Sequence, residues 1–304
     1  MNHLRSELYL EVGQSSHTGH RRSNNEDWLG TFQPDDAARL ARRGRLFLVA
    51  DGMGGHRSGE LASRRAVDHV IRGYLADQAP EVETSLRRAI EEANTSLYAS
   101  AVGAEGQSRW GTTLVAAVVR GGALWIASVG DSRAYLLRNG ELRQLTRDHS
   151  LFPATGQRSG RHFITRALGT RRKVEVDLFP PLALQQGDRV LLCTDGLSVP
   201  VPDEEIARVA AELPPQAAAE ALVQAANDRG GPDNVSVILV AVSETRSAPG
   251  LAAWLRPEAW PNVVGYLLGI QIAGRSTMWL FVIVLLLVLV LVGLGFGLGL
   301  ALFR

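Results

Sequence analysis

Apolar positions along the chain follow two periods. Short runs bounded by Gly, Asp or Arg have the length and content of buried strands: "RLFLVAD" (45–51), "TTLVAAVV" (112–119), "ALWIASVGD" (123–131), "DRVLLCTD" (188–195) and "VSVILVAV" (235–242). Three of these five runs end in an aspartate. Elsewhere the apolar residues recur at helical spacing. Leu61, Ala62, Ala66, Val67, Val70, Ile71, Tyr74 and Leu75 line one face, with Ser58 placed as an N-cap. A second helix is expected over about 82–101, a third over "DEEIARVAAEL", introduced by Asp203, and a fourth over "PQAAAEALVQAANDRG", closed by Gly230 and Gly231. Residues 1–244 carry no internal repeat and no low-complexity tract, so they read as one layered domain of strands and helices.

The end of the chain has a different pattern. From Met278 to Phe303 no residue is charged, and at about 1.5 Å per residue such a helix exceeds the roughly 30 Å hydrocarbon layer, which predicts one transmembrane helix over 278–303. Arg246, Arg256 and Arg275 precede it and only Arg304 follows, a bias that places residues 1–244 on the cytoplasmic side of the inner membrane. Gly293, Gly295, Gly297 and Gly299 include small-xxx-small spacings, a candidate dimer face. The intervening 245–277 is rich in Ser, Pro, Trp and Arg and reads as a juxtamembrane linker. Trp254, Trp260 and Tyr266 suit it to the headgroup level, and packing on the globular domain is the competing reading. The N-terminus has no unbroken apolar core of the signal-peptide kind.

Composition narrows the function classes. Lys plus Arg (32) nearly balances Asp plus Glu (31) over 304 residues, so no global field favours nucleic acid or acidic partners. Cys193 is the only cysteine, which excludes an intrachain disulfide and fits a reducing cytosol. It sits in the apolar run "VLLCTDG" without a basic neighbour, so it is expected to pack as a small hydrophobe rather than act as a nucleophile.

The candidate chemistry is acidic. Carboxylates occur beside turn residues in "RRSNNED" (21–27), "VADGMGGH" (49–56), "ASVGDSR" (127–133), "CTDG" (193–196) and "GGPDNVSV" (230–237). Each has a plainer explanation when taken alone, since Asp-Gly is a common turn and Gly-Asp-Ser-Arg suits a surface hairpin. If strand ends bring Asp51, Asp131, Asp195 and Asp233 together, repulsion among them demands neutralising cations. Oxygen ligands without cysteine, and without a regular histidine pair, favour Mg²⁺ or Mn²⁺ over Zn²⁺.

In this order the motifs resemble those of the metal-dependent serine/threonine protein phosphatases of type 2C. The likeness runs through "RSNNED" (22–27), "DGMGGH" (51–56), "GTT" (111–113), "GDSR" (130–133), "DHS" (148–150), "ITRALG" (164–169), "TDG" (194–196) and "GPDN" (231–234). The resemblance implies an α+β fold, a four-layer α-β-β-α sandwich with two central antiparallel sheets, to which the transmembrane helix is added. It implies that Asp51 bridges two ions and that the Gly52 carbonyl completes one shell. Asp195 and Asp233 then complete the first ion's ligands, Glu26 and Asp27 hold the second directly or through water, and Asp131 belongs to a third, weaker site. The glycines of "DGMGGH" let backbone come close to the ions.

The implied reaction is hydrolysis of phosphoserine and phosphothreonine in proteins. Paired divalent ions would activate a water for in-line attack on phosphorus. Arg22 would clamp the phosphate with its planar fork, and His56 would protonate the leaving oxygen. Partners implied are phosphorylated proteins, a Ser/Thr kinase acting on them, and the bilayer. A catalytically silent, membrane-tethered phosphoprotein-binding scaffold is the non-enzymatic alternative, and a phosphatase of small phosphoesters would share the same metal site. Two departures stand out. His17 occupies a place where bacterial relatives commonly carry an aspartate, and the 151–163 segment is shorter than the family's flap, with Arg158 and Arg161 as new candidate phosphopeptide contacts.

Overall fold

The computed structural model describes residues 8–54, 57–102, 110–151 and 163–244, all within one compact unit, Met1–Thr245. A five-stranded sheet is built, in spatial order, from β1 (Leu8–His17), β13 (Val235–Glu244), β12 (Arg189–Cys193), β7 (Arg133–Arg138) and β8 (Glu141–Gln144). The second sheet has the order β11 (Asp177–Ala183), β6 (Ala123–Val129), β5 (Leu114–Arg120), β3 (Arg45–Met53) and β2 (Asp27–Phe32), with β4 (Gly111–Thr112) paired to the end of β3. A small ladder joins β9 (Ser150–Leu151) to β10 (Phe163–Ile164). Every named strand pair is antiparallel.

Two long helices, α2 (Arg57–Ala76) and α3 (Val82–Val102), cover the second sheet, while α4 (Asp195–Ser198), α5 (Asp203–Glu212) and α6 (Pro215–Asp228) cover the first. A short helix, α1 (Ala37–Arg43), leads into β3; the Asp36 carboxylate caps it by accepting from the N–H groups of Ala38 and Arg39. The order of layers is therefore α-β-β-α, and the α+β sandwich expected from the motifs is present. Among the described residues no helix is long and apolar enough to cross a membrane. Residues 278–303, where that helix is expected, and the 245–277 linker lie outside the described residues.

Strand alternation sorts the core into three sheets of side chains. In β3, Leu46, Leu48 and Ala50 pack under α2 and α3, whereas Phe47 and Val49 point between the two sheets. In β13, Val235, Val237 and Leu239 face the helices and Ile238, Val240 and Val242 face inward; in β12, Leu191 and Cys193 face the helices and Val190 and Leu192 face inward. Burying each such aliphatic chain stabilises the fold by about 1.5–3 kcal/mol.

Local details differ from the sequence reading in three places. Chain 112–119 is not one strand: β4 ends at Thr112, and Thr113 turns its N–H to the Asp51 carbonyl (2.9 Å) before β5 begins. Helix α2 starts at Arg57, so Ser58 is inside its first turn rather than capping it. Asp203 is likewise the first residue of α5, preceded by Pro202 at the N-cap, and its charge favours the helix start through the dipole instead of a side-chain cap.

Candidate metal centre

The inward alternation of the strands does not stop where the apolar residues stop. Phe47 and Val49 are followed on the same face by Asp51, and Val190 and Leu192 by Thr194. Running the other way, Val115 is preceded by Thr113, Leu29 by Asp27, Ala134 by Ser132 and Ile238 by Ser236. One end of the inter-sheet core is therefore built of carboxylates and hydroxyls, and the hydroxyls join the sheets. Thr194 Oγ1 donates to Asp27 Oδ2 (3.0 Å), and the Thr113 and Ser132 hydroxyls bond at 2.7 Å.

Asp27 and Asp51 are paired residues of the β2/β3 ladder. The Asp51 backbone is fixed by the "GTT" segment: its N–H donates to Thr113 Oγ1 (3.0 Å), and its carbonyl accepts from Thr112 Oγ1 (2.8 Å). Gly52 donates to the Glu26 carbonyl (3.1 Å), and a Cβ on Gly52 would stand 2.2 Å from the Gly59 carbonyl oxygen. Glycine is thus required for β3 to lie this close to the start of α2. The same crowding holds Glu26, whose carboxylate rests against Gly59 in the first turn of α2, where the helix N-terminus favours an anion.

The loop that carries Arg22, Glu26 and Asp27 is pinned to the "GPDN" turn. Asn234 accepts from the Glu26 N–H (2.8 Å) and donates to the carbonyls of Thr18 and Asn24 (2.8 and 2.9 Å), while the Gly231 carbonyl accepts from the N–H groups of His20 and Arg21. This brings Arg22 Nη2 to 2.7 Å from Asp233 Oδ2. Bonding to Asp233, reinforced by the fields of Asp51 and Glu26, raises the Arg22 pKa above its ordinary value. Arg22 therefore stands at the mouth of the acidic group, still half exposed.

The carboxylates feel one another. Burial, followed by the fields of Asp27, Asp195, Asp233 and Asp131, pushes Asp51 well above the ordinary carboxylate range. Burial raises Asp27 to about 7 with Asp195 and Asp233 adding to it, although the Ser236 and Thr194 hydroxyls work the other way. Asp131, only 3% exposed, is raised to about 7 by burial and then by Asp195. Five aspartates from separate segments thus share one electrostatic site.

Asp131 is held by a polar frame of its own. It follows Gly130, whose N–H donates to His149 Nδ1 (3.0 Å) and whose carbonyl accepts from the His149 N–H (2.9 Å). The next residue but one, Arg133, makes a forked ion pair with Asp148 (2.7 Å at the closest). His149 Nε2 lies 3.1 Å from Asp177, which also accepts from Arg166 (2.6 Å). Burial works to raise Asp177, but the bonds from His149 and Arg166 outweigh it and hold this carboxyl below its ordinary value.

These residues fit hard divalent cations. Asp27 Oδ1 and both carboxylate oxygens of Asp131 are buried and accept no hydrogen bond from another residue, and the donor set is oxygen only. No three acidic, histidine or cysteine side chains among the described residues stand in a ready-made coordination sphere. Asp233 is turned to Arg22 instead, a protein cation meeting part of the demand for positive charge.

Of the residues singled out from the sequence, Arg22, Glu26, Asp27, Asp51, Gly52, Asp131, Asp195 and Asp233 come together at this end of the sandwich. His56, with Gly55, lies outside the described residues, as do Arg158 and Arg161. Cys193 is fully buried and burial pushes its thiol up to about 12, in keeping with an inert packing role. The frame residues Thr113, Ser132, Thr194, Asn234 and Ser236 were not read as functional from the sequence. Their signal is the continued period-two alternation past the apolar runs.

The family profile described as protein phosphatase 2C matches residues 18–237. The serine/threonine phosphatase stp of Listeria monocytogenes is 40% identical over 240 residues, covering 73% of this chain and 92% of its own. The crystal structure of the Mycobacterium tuberculosis serine/threonine phosphatase PstP/Ppp superimposes with a TM-score of 0.66 at 34% identity, over 78% of this chain and 100% of that one. The crystal structure of the catalytic domain of PstP in complex with two manganese ions gives a TM-score of 0.67 at 33% identity, again over 78% of this chain and 100% of the other. With the sandwich, the ordered motifs and the shared acidic site in agreement, this chain belongs to the protein phosphatase 2C family.

Proposed function

We propose that the chain is a protein serine/threonine phosphatase that hydrolyses phosphoserine and phosphothreonine with two Mn²⁺ or Mg²⁺ ions. The observation that carries this reading is the convergence of Asp27, Asp51, Asp131, Asp195 and Asp233 in one shared electrostatic field beside Arg22, with Asp27, Asp51 and Asp131 desolvated in it. Relatives named as serine/threonine phosphatases, and a relative's structure with two manganese ions, support it.

The residues divide the work. Asp51, Asp195 and Asp233 would hold one ion and Asp51, Gly52, Glu26 and Asp27 the other, with Asp131 serving a third. Bound there, such ions would supply a water of lowered pKa as the nucleophile. Arg22, released from Asp233, presents its fork to the phosphate oxygens and balances charge as it spreads over them. His56 delivers a proton to the departing serine or threonine oxygen. The buried hydroxyls of Thr113, Thr194 and Ser132 hold the acids in register so that little reorganisation is needed. No covalent enzyme intermediate is required, and the inert Cys193 offers none. With the acids and Arg22 in place, the silent-scaffold alternative has no support from the site.

The same proposal extends to the setting. The uncharged run 278–303 and the arginine bias before it support a tail-anchored enzyme whose domain works at the cytoplasmic face, with 245–277 at the interface. Its substrates are then phosphoproteins made by a Ser/Thr kinase, and the glycines at 293–299 offer a pairing face in the membrane.

The test is phosphate release from a phosphothreonine peptide by the full chain, with Mn²⁺, with chelator, and for Asp233→Asn. Release that needs Mn²⁺ and is lost in the variant is expected. Release indifferent to chelator rejects the metal mechanism, and no release in any metal restores the scaffold.

A further inference from the structure

We propose that His149 is a positioning residue for the cation held at Asp131, acting through the two peptide planes on either side of Gly130. This rests on the proposed metal-dependent activity.

His149 grips Gly130 from both sides. Its ring nitrogen Nδ1 accepts from the Gly130 N–H (3.0 Å), which fixes the peptide before Gly130; its own N–H donates to the Gly130 carbonyl (2.9 Å), which fixes the peptide leading into Asp131. Gly130 has φ +110°, a conformation open to glycine, and an added Cβ would stand 2.6 Å from the Thr113 Cβ. Such a turn, pressed against the threonine that also holds Asp51, has little freedom left. The Asp131 carboxylate it presents is buried, and neither oxygen accepts a hydrogen bond from another residue.

The ring is fixed in its turn. Because Nδ1 accepts, the neutral ring carries its proton on Nε2 and donates it to Asp177 (3.1 Å), and Arg166 donates to the same carboxylate from 3.2 Å away from Nε2. A neighbour that sets tautomer and ring plane is how outer residues tune a metal ligand, and such contacts are worth about 10–100-fold in affinity. The His149 carbonyl also accepts from the N–H and hydroxyl of Thr165 (2.8 and 3.0 Å), beside the β9/β10 ladder. One residue therefore ties the Asp131 turn to both arms that bound the 152–162 segment.

Two isosteres separate the ring's nitrogens. His149→Asn keeps an acceptor near Nδ1 and loses the reach to Asp177; His149→Gln keeps a donor near Nε2 and loses the acceptor for the Gly130 N–H, while the main-chain bond from residue 149 to the Gly130 carbonyl persists in both. Mn²⁺ titration calorimetry on the full chain is compared for these two variants, the wild type and Asp131→Asn. Asp131→Asn should remove one class of weaker sites from the wild-type isotherm. His149→Gln should weaken that class by about 10–100-fold and leave the tighter sites in place, while His149→Asn stays within about threefold of wild type. Unchanged weak-site affinity in His149→Gln overturns the proposal, as does equal loss in both His149 variants. If His149→Gln fails to fold, the Asn variant decides alone, since loss of the weak class there contradicts the assignment. A wild type that binds no Mn²⁺ refutes the metal reading itself, a distinct outcome.

Discussion

Asp27 and Asp51 stand opposite one another across the β2/β3 ladder, on the face that points between the sheets. Like charges in such a pair destabilise a sheet, and here both are also withdrawn from water. The pair is a place where stability is given up for a site that a divalent cation completes.

Replacing Asp51 by Asn should therefore move stability and function in opposite directions. Without added metal at pH 8, Asp51→Asn is expected to raise the melting temperature by about 2–8 °C, because the amide removes the cost of keeping a desolvated carboxyl, ionised or protonated, beside Asp27 and the other acids. Phosphatase activity should fall by at least about 100-fold because the bridging ligand is lost. Thermal unfolding beside phosphopeptide assays checks both signs.

The metal-free protein should lose stability as pH rises. In the unfolded chain Asp27 and Asp131 ionise near 3.8, whereas in the folded protein both are held at about 7. Between those values the folded state binds more protons than the unfolded, so stability falls through this window and levels off above it. One carboxyl moved this far corresponds to about 4 kcal/mol. The melting temperature of the chelated chain should drop by at least about 5 °C between pH 5 and pH 8, and Mn²⁺ should restore more of it at pH 8 than at pH 5.

Arg22 competes with the cation for Asp233. Removing its charge with Arg22→Ala should strengthen Mn²⁺ binding a few-fold and lower kcat/KM by about 100-fold or more, opposite signs that a merely structural role does not give. Arg22→Lys keeps a charge but not the fork, and should lie between wild type and the alanine variant in kcat/KM.

Asn234 is the pin of the site. Its three bonds to Glu26, Thr18 and Asn24 are each worth about 1 kcal/mol, so Asn234→Ala should cost about 3 kcal/mol in urea unfolding. With the 18–26 loop unpinned, Arg22 and Glu26 shift, and activity should fall even at temperatures where the variant remains folded.

Much of this was legible in the chain, for reasons tied to particular elements. The cores of runs such as 45–51 and 235–242, residues 46–50 and 237–240, are buried on both faces, so they appear as unbroken apolar stretches, and the helix at 57–76 has a regular apolar face. β1 and β2 were harder to see, since "LYLEVGQSSH" and "DWLGTF" bury alternate residues only in part. α1 is short and depends on the Asp36 cap. The acids were visible because carboxylates at strand ends are few and ordered. Their hydroxyl frame was hidden because Thr113 and Thr194 look like ordinary strand residues until the two sheets bring Ser132 and Asp27 against them. The alternation that continues past the apolar runs puts these hydroxyls on the inward face, but which residue each one meets is set by long-range pairing that no local pattern specifies.

The most direct measurement is anomalous scattering from crystals of the protein grown or soaked with Mn²⁺. The account predicts manganese peaks within bonding distance of Asp51, flanked by Asp195, Asp233 and the Asp27–Glu26 segment, with the Arg22–Asp233 pair opened. Manganese absent from this end of the sandwich at saturating concentration, with the Arg22–Asp233 pair intact, would contradict it.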